Sequence, residues 1–302
     1  MTDINRRDAL SLIGAAVACG APPIWAGTDP ILTRRIPSSG ESLPVIGLGT
    51  WQTFDVGASS AERAPLEEVL RAFVALGGRV IDSSPMYGRS EEVVGEIASA
   101  LGVHEALFLA TKVWTRGRQT GIEQMENSMR KLRARRIDLM QVHNLVDVQT
   151  HLQTLRAWKR EGRVRYLGIT HYTSGAYDAV ETLLRREALD FVQINYSVGE
   201  REAERRLLPL AADRGVAVIA NRPFAGGDLF RQLRERPLPG WAADIDCQSW
   251  AQILLKFVVS HPAITCAIPA TSRLTHLRDN MQGGYGRLPD TPLRARIVAE
   301  IA

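Results

Sequence analysis

Hydrophobic positions along this chain switch repeatedly between two periods. Short apolar runs bounded by Gly, Pro or charged residues alternate with segments in which apolar side chains recur every three or four positions. The runs at 45–49, 79–82, 107–112, 137–142, 164–169, 191–195, 216–220 and 264–268 predict strands. Between them, Leu66, Val69, Leu70, Phe73 and Leu76 predict one helix, and Val93, Val94, Ile97 and Leu101 the next. Met125, Met129 and Leu132 mark a third, and further helices are predicted at 152–159, 177–184, 203–213, 249–259 and 274–281.

Eight strand–helix units thus follow one another with no break in composition. Alternation predicts a parallel sheet in the α/β class, and eight units predict closure into a (β/α)8 TIM barrel of one domain over residues 27–302. The alternative is an open, doubly wound sheet. Gly47-Leu48-Gly49-Thr50-Trp51-Gln52 begins like a dinucleotide fingerprint, but a third glycine is missing. No acidic residue follows a second strand at the usual distance, so the barrel is the better reading.

The chain has 302 residues, 45% of them hydrophobic, which supports one large core. A barrel of about 250 residues would use nearly all of it. Net charge is +4 with no basic block interleaved with aromatics, so nucleic acid is not an expected partner. The first residues change the picture. Asn5-Arg6-Arg7-Asp8-Ala9-Leu10 precedes an apolar run at 12–19 that is too short to span a bilayer, and Ile24-Trp25-Ala26 closes the segment. This order resembles a twin-arginine export signal over residues 1–26. It implies transient contact with export machinery, a periplasmic mature protein and no membrane segment in it. The alternative is a frayed N-terminal helix with a chance Arg pair, on a cytoplasmic protein. Ala16-Val17-Ala18-Cys19 is a weak match to a lipid-attachment box. Cys266 lies in an apolar run and reads as a small core residue; with Cys247 it gives weak support for a disulfide. No metal-ligand spacing is present.

The candidate chemistry lies at three successive strand ends. The second strand ends in Asp82, followed in the next loop by Tyr87; the third ends in Lys112; the fourth runs into His143. Lys112 stands out because only Lys112, Lys131, Lys159 and Lys256 are lysine among 37 basic residues. Taken singly, each residue has a plain structural role: a turn cap, a loop aromatic, a surface lysine, a satisfied histidine. At the C-terminal ends of neighbouring barrel strands they form a site that protonates a carbonyl. A phenol with an ordinary pKa of about 10 is a sluggish acid. An adjacent ammonium favours its ionised form, a carboxylate holds the ammonium, and an imidazole hydrogen-bonds the substrate oxygen.

These residues resemble the aldo-keto reductase superfamily over nearly the whole chain, from the segment Leu43-Pro44-Val45-Ile46-Gly47-Leu48-Gly49-Thr50-Trp51 to Asn280. The most specific matches are Asp82 with Tyr87-Gly88, Thr111-Lys112 and Gln141-Val142-His143-Asn144. The resemblance implies an eight-stranded barrel, NADPH as cofactor and a small-molecule carbonyl substrate. It makes Tyr87 the proton donor, with Lys112, Asp82 and His143 in support. It also implies a cofactor track through Trp51, Thr170, His171, Gln193, Asn221, Pro223, Thr271, Ser272, Arg273, His276 and Asn280. Gln193 falls where the family contacts the nicotinamide amide, and Thr271-Ser272-Arg273 where it holds the adenosine phosphate. A cation and hydroxyls near a helix start suit a phosphate, while Thr271-Ser272 also suits plain helix capping. The chain departs from the family at Thr170-His171, where Ser-Asn is common, and at Asn221-Arg222-Pro223-Phe224, where a stacking tyrosine is common. A non-catalytic NADP-binding sensor or accessory protein of the same fold is the competing reading. A periplasmic solute-binding protein would need a second lobe that the sequence does not supply.

Overall fold

A computed structural model describes residues 30–301, so the proposed signal at 1–26 lies outside the described residues. The described chain opens with a hairpin, β1 (Thr33–Arg35) against β2 (Ser42–Pro44), antiparallel with Thr33 opposite Pro44. Eight parallel strands follow: β3 (Leu48–Gly49), β4 (Val80–Asp82), β5 (Phe108–Val113), β6 (Ile137–His143), β7 (Val164–Thr170), β8 (Phe191–Asn195), β9 (Ala217–Asn221) and β10 (Ile264–Ala267). They are hydrogen-bonded in sequence order. The ring closes where Ile46 and Gly49 bridge in parallel to Ala267 and Ala270. Gly47 N–H donates to Ala267 O at 2.8 Å, and Ala267 N–H to Val45 O at 2.8 Å. The two glycines of the apparent dinucleotide fingerprint belong to this closure. A Cβ on Gly47 would meet Val80 O at 2.9 Å, and one on Gly49 would meet Ile268 O at 2.9 Å. Their role is close backbone approach.

Helices α1 (Ser60–Ala75), α2 (Ser90–Leu101), α3 (Arg118–Lys131), α4 (Val148–Arg160), α5 (Tyr177–Arg186) and α6 (Leu207–Asp213) each follow a strand. After β9 come α7 (Asp228–Leu233) and α8 (Trp250–Ser260), and after β10 come α9 (Leu274–Gln282) and α10 (Thr291–Ile301). The predicted helix at 203–213 is broken into a 3₁₀ turn, Glu202–Arg205, and α6. Pro209 fits the restart: it has no N–H to donate and sits in the first turn of α6, where none is needed. The hairpin, α7 and α10 have no counterpart in the predicted elements.

Alternation along the strands sorts side chains into two cores. Ile81, Leu109, Val113, Met140, Val142, Ile169 and Val192 face outward into the layer beneath the helices. Val80, Phe108, Ala110, Leu139, Tyr166, Phe191, Ala217, Ile219 and Cys266 fill the barrel interior, with Ile36 and Leu43 of the hairpin closing its floor. Cys247 and Cys266 are both free and buried. Around the floor, Arg165 is paired with Glu41 and with Asp138 at 2.7 Å, and Tyr166 donates to Glu41 at 2.9 Å. The same period of two, continued toward the C-terminal strand ends, reaches Asp82, Lys112, Gln141, His143, Thr170, Gln193 and Asn221. Those positions inherit the inward direction of the core beneath them.

Candidate active site

The inward side chains at the top of the barrel form one connected polar cluster. Lys112 is fully buried, and its Nζ donates to Asp82 Oδ2 at 2.6 Å and to Ser83 O at 2.7 Å. Asp82 Oδ1 accepts from Gln193 Nε2 at 2.9 Å and Gln141 Nε2 at 3.2 Å. A buried charge without partners would be costly; here the pair is bonded on every side. Register explains the meeting: Asp82 aligns with Ala110 and Lys112 with Gln141, so a long lysine reaches back across one strand.

Tyr87 arrives from the loop after β4, anchored by Tyr87 N–H donating to Ser84 O at 3.0 Å. The Lys112 ammonium lies 4.9 Å from the centroid of the Tyr87 ring. The His143 ring meets Tyr87 edge-on at 6.0 Å and Trp114 at 6.3 Å. Ser84 Oγ sits 3.0 Å from His143 Nδ1. The structure therefore brings together all four residues predicted from the strand ends.

The electrostatics differ from the expectation in one respect. Burial dominates at Tyr87, and with the Asp82 charge it outweighs the pull of Lys112, so the phenol pKa is raised above 10.0. Lys112 was expected to lower it. At Lys112 burial opposes the charge, but Asp82 and Tyr87 outweigh it and the pKa is raised, which keeps the ammonium. Burial, then the Lys112 and His171 charges, push His143 down to about 3, so its imidazole is neutral near pH 7.

The predicted cofactor residues divide into two groups. Thr170, Gln193 and Asn221 stand at adjacent strand ends: Thr170 Oγ1 donates to Gln193 Oε1 at 3.1 Å, and Asn221 Nδ2 donates to His171 O at 3.2 Å. Gln193 is thus tied to both Asp82 and Thr170, linking the two halves of the site. His171 stacks on Tyr172 with ring centroids 5.6 Å apart. Pro223 is buried, and Trp51 is exposed in the loop after β3. Phe224 packs on Phe230 of α7 with ring centroids 4.7 Å apart, so its ring is engaged there and does not replace the missing tyrosine of the family. The second group lies at the start of α9. Thr271 Oγ1 accepts the Arg273 N–H at 3.1 Å, so this hydroxyl holds a local turn. Ser272, Arg273 and His276 are exposed. Arg273 is the N-cap of α9, with extended backbone; within the helix His276 is exposed and Asn280 is buried.

These residues fit a nicotinamide cofactor on one further observation. Asn144 Oδ1, Gln141 Oε1 and Asn221 Oδ1 are buried acceptors with no partner among the described residues. A carboxamide N–H₂ is the kind of donor such oxygens lack. Three residues escaped the sequence reading: Gln141 as a ligand of Asp82, Ser83 as an acceptor for Lys112, and Ser84 as the partner of His143. The signal for Gln141 was available, since it lies two residues before His143 on the same strand face.

Residues 45–292 match the model of the aldo/keto reductase family. Methylglyoxal reductase YeaE of Escherichia coli is 30% identical over 255 residues, covering 82% of this chain and 88% of that protein. The NADP-dependent D-sorbitol-6-phosphate dehydrogenase of Malus domestica is 26% identical over 287 residues, covering 81% and 86%. Among solved structures, an aldo/keto reductase from Klebsiella pneumoniae in complex with NADP and acetate superposes with a TM-score of 0.74 at 26% identity, covering 87% of this chain and 93% of the other. A second from the same organism, in complex with NADPH, gives 0.76 at 25% identity, covering 90% and 95%. With the barrel, its inward polar cluster and a family match spanning most of its length, the chain belongs to the aldo/keto reductase family.

Proposed function

We propose that this protein reduces an aldehyde or ketone to the alcohol with NADPH, with Tyr87 donating the proton. The observation that carries the reading is the buried Lys112–Asp82 pair against the Tyr87 ring, with a neutral His143 edge-on to the same ring. When bound, NADPH supplies the hydride; the protein supplies the proton and the orientation. Tyr87 and His143 hold the carbonyl oxygen between two donors. Lys112 offsets the negative charge left on the phenol as its proton departs, and Asp82, braced by Gln141 and Gln193, fixes Lys112. In this reading Thr170, Gln193 and Asn221 would hold the nicotinamide amide, and Ser272, Arg273 and His276 the 2′-phosphate. The NADP and NADPH complexes of the Klebsiella structures support that choice of cofactor. A panel of aldehydes and ketones, methylglyoxal included, followed by loss of NADPH absorbance, tests the reading. Turnover with at least one carbonyl is expected. Tight NADPH binding with no oxidation by any of them would favour a cofactor-binding sensor instead.

Cofactor choice gives a sharper test. Arg273 is exposed at the N-cap of α9, where a phosphate would also meet backbone N–H groups. A charge-assisted contact contributes about 1.5–3 kcal/mol. Arg273→Ala is therefore expected to weaken NADPH binding roughly ten- to hundred-fold and leave NADH binding nearly unchanged. Fluorescence titration of both cofactors measures this. Equal losses would assign Arg273 to packing and leave His276 as the phosphate contact.

Arg6-Arg7 ahead of a short apolar run supports export of the folded, cofactor-loaded enzyme by a twin-arginine route. This would deliver a nicotinamide enzyme to the periplasm with its cofactor already bound. Cell fractionation of the native protein and an Arg6→Lys/Arg7→Lys variant tests it. The native protein is expected in the periplasm with a new N-terminus near Ala26, and the variant in the cytoplasm. Both remaining full-length in the cytoplasm would overturn export and leave the reductase reading untouched.

A further inference from the structure

Ser84 is fully buried in the loop after β4, two residues beyond Asp82; its carbonyl anchors Tyr87, but no role above uses its hydroxyl. Its hydroxyl has two neighbours. It accepts the Met86 N–H at 3.4 Å, and it lies 3.0 Å from His143 Nδ1. A serine hydroxyl carries one hydrogen and two lone pairs. The Met86 contact uses a lone pair, and Nδ1 is the one acceptor within reach among the described residues, so the hydrogen points to Nδ1. A neutral imidazole that accepts at Nδ1 carries its proton at Nε2. Among the described residues no group hydrogen-bonds Nε2. The ring itself is held between Tyr87 and Trp114. A second proton on the ring is opposed by burial and by the Lys112 charge.

We propose that Ser84 is a positioning residue that holds His143 as the Nε2–H tautomer and so aims one fixed donor at the substrate's carbonyl oxygen beside the Tyr87 phenol. The proposal rests on the reductase reading for its consequence, though not for the tautomer itself. Without the Ser84 hydrogen, Nδ1 has no fixed donor and the imidazole divides between its two tautomers. In the other tautomer Nε2 is a lone pair facing the carbonyl oxygen, which repels the substrate where it should be polarised. The hydroxyl thus acts on the reaction through the imidazole, in the way a carboxylate or carbonyl behind a histidine commonly sets its tautomer.

The test uses the full enzyme, Ser84→Ala, His143→Ala and the double variant. Nitrogen-15 spectra identify the His143 tautomer, with the His143→Ala protein marking which of the six histidine signals is lost. The native protein is expected to show Nε2–H, and Ser84→Ala a mixture. The kcat for carbonyl reduction should fall about ten-fold in Ser84→Ala, less than the 10²–10³-fold typical of removing a donor outright. NADPH affinity should be unchanged. In the His143→Ala background Ser84→Ala should cost nothing further, because the two residues act as one unit. A structural role for the Met86 contact would lower the thermal midpoint and the rate equally in both backgrounds. Native His143 as the Nδ1–H tautomer, or a Ser84→Ala loss of the same size without His143, would overturn the proposal. The spectra decide the tautomer even if no carbonyl is reduced, so failure here and failure of the reductase reading are distinguishable.

Discussion

Tyr87→Phe is expected to lower kcat for carbonyl reduction by about 10²–10⁴-fold while NADPH still binds. The variant removes one oxygen and keeps the ring, so the edge contact with His143 and the packing over Lys112 survive. What it removes is the phenol hydroxyl of the ring that the Lys112 ammonium meets. The raised pKa of that phenol matters for the pH profile. Burial keeps Tyr87 protonated well beyond neutrality, so the acid is fully loaded throughout the ordinary working range. In the proposed role its proton would leave only as the transition state places negative charge on the carbonyl oxygen, with Lys112 facing the developing phenolate. His143, at about 3, stays neutral and adds no ionisation near its ordinary value of 6.5. The rate of the hydride-transfer step should thus be flat across neutrality and decline only as the phenol ionises, above pH 10.0. Single-turnover measurements across pH read this directly. A limb near pH 6.5 that disappears in His143→Ala would show a titrating imidazole and contradict the neutral donor assigned here. A Tyr87→Phe enzyme with native kcat would remove Tyr87 from the role of acid.

The barrel was legible because its signals are local and repeated. Each strand is a short apolar run and each major helix a three-to-four-residue period, so eight units could be counted and the topology followed. The site was legible for the same reason, since Asp82, Lys112 and His143 end apolar runs that have nowhere to point except the barrel mouth. The missed pieces fail for physical reasons. The floor hairpin has Thr33–Arg35 as its first strand, with no hydrophobic alternation, and it is defined by pairing and by Ile36 and Leu43 reaching into the barrel. Helix α10 buries Ile297 and Ile301, too sparse an apolar face to announce itself. Ser84 and Ser83 are invisible to a motif reading, because one acts through its hydroxyl on a residue from another strand and the other through a backbone carbonyl. The sign of the Tyr87 shift was also beyond the sequence. Proximity of an ammonium can be inferred from strand order, but the depth of burial that outweighs it cannot.

The largest effect on the folded protein should come from Lys112→Met. The substitution preserves length and apolar stem while deleting the charge, so it leaves the Asp82 carboxylate buried with only two amide donors, Gln141 and Gln193. Breaking a buried ion pair from one side typically costs about 3–5 kcal/mol. For a domain of this size that is a fall of roughly 10 °C in thermal midpoint. Carbonyl reduction should vanish with it, since the charge facing the phenol is gone. Stability and activity are separable by the double variant Asp82→Asn/Lys112→Met. A neutral Asn oxygen still accepts from Gln141 and Gln193, and no unpaired charge remains, so most of the lost midpoint should return. Activity should not, because neither variant side chain can stabilise a phenolate. Thermal unfolding and NADPH turnover of the native, single and double variants form a cycle with two readouts. A single variant as stable as the native protein would mean that the Lys112–Asp82 pair adds little to the fold. Recovery of activity in the double variant would mean that the ammonium serves the fold alone, and the pair would then be no part of the proton-donating machinery.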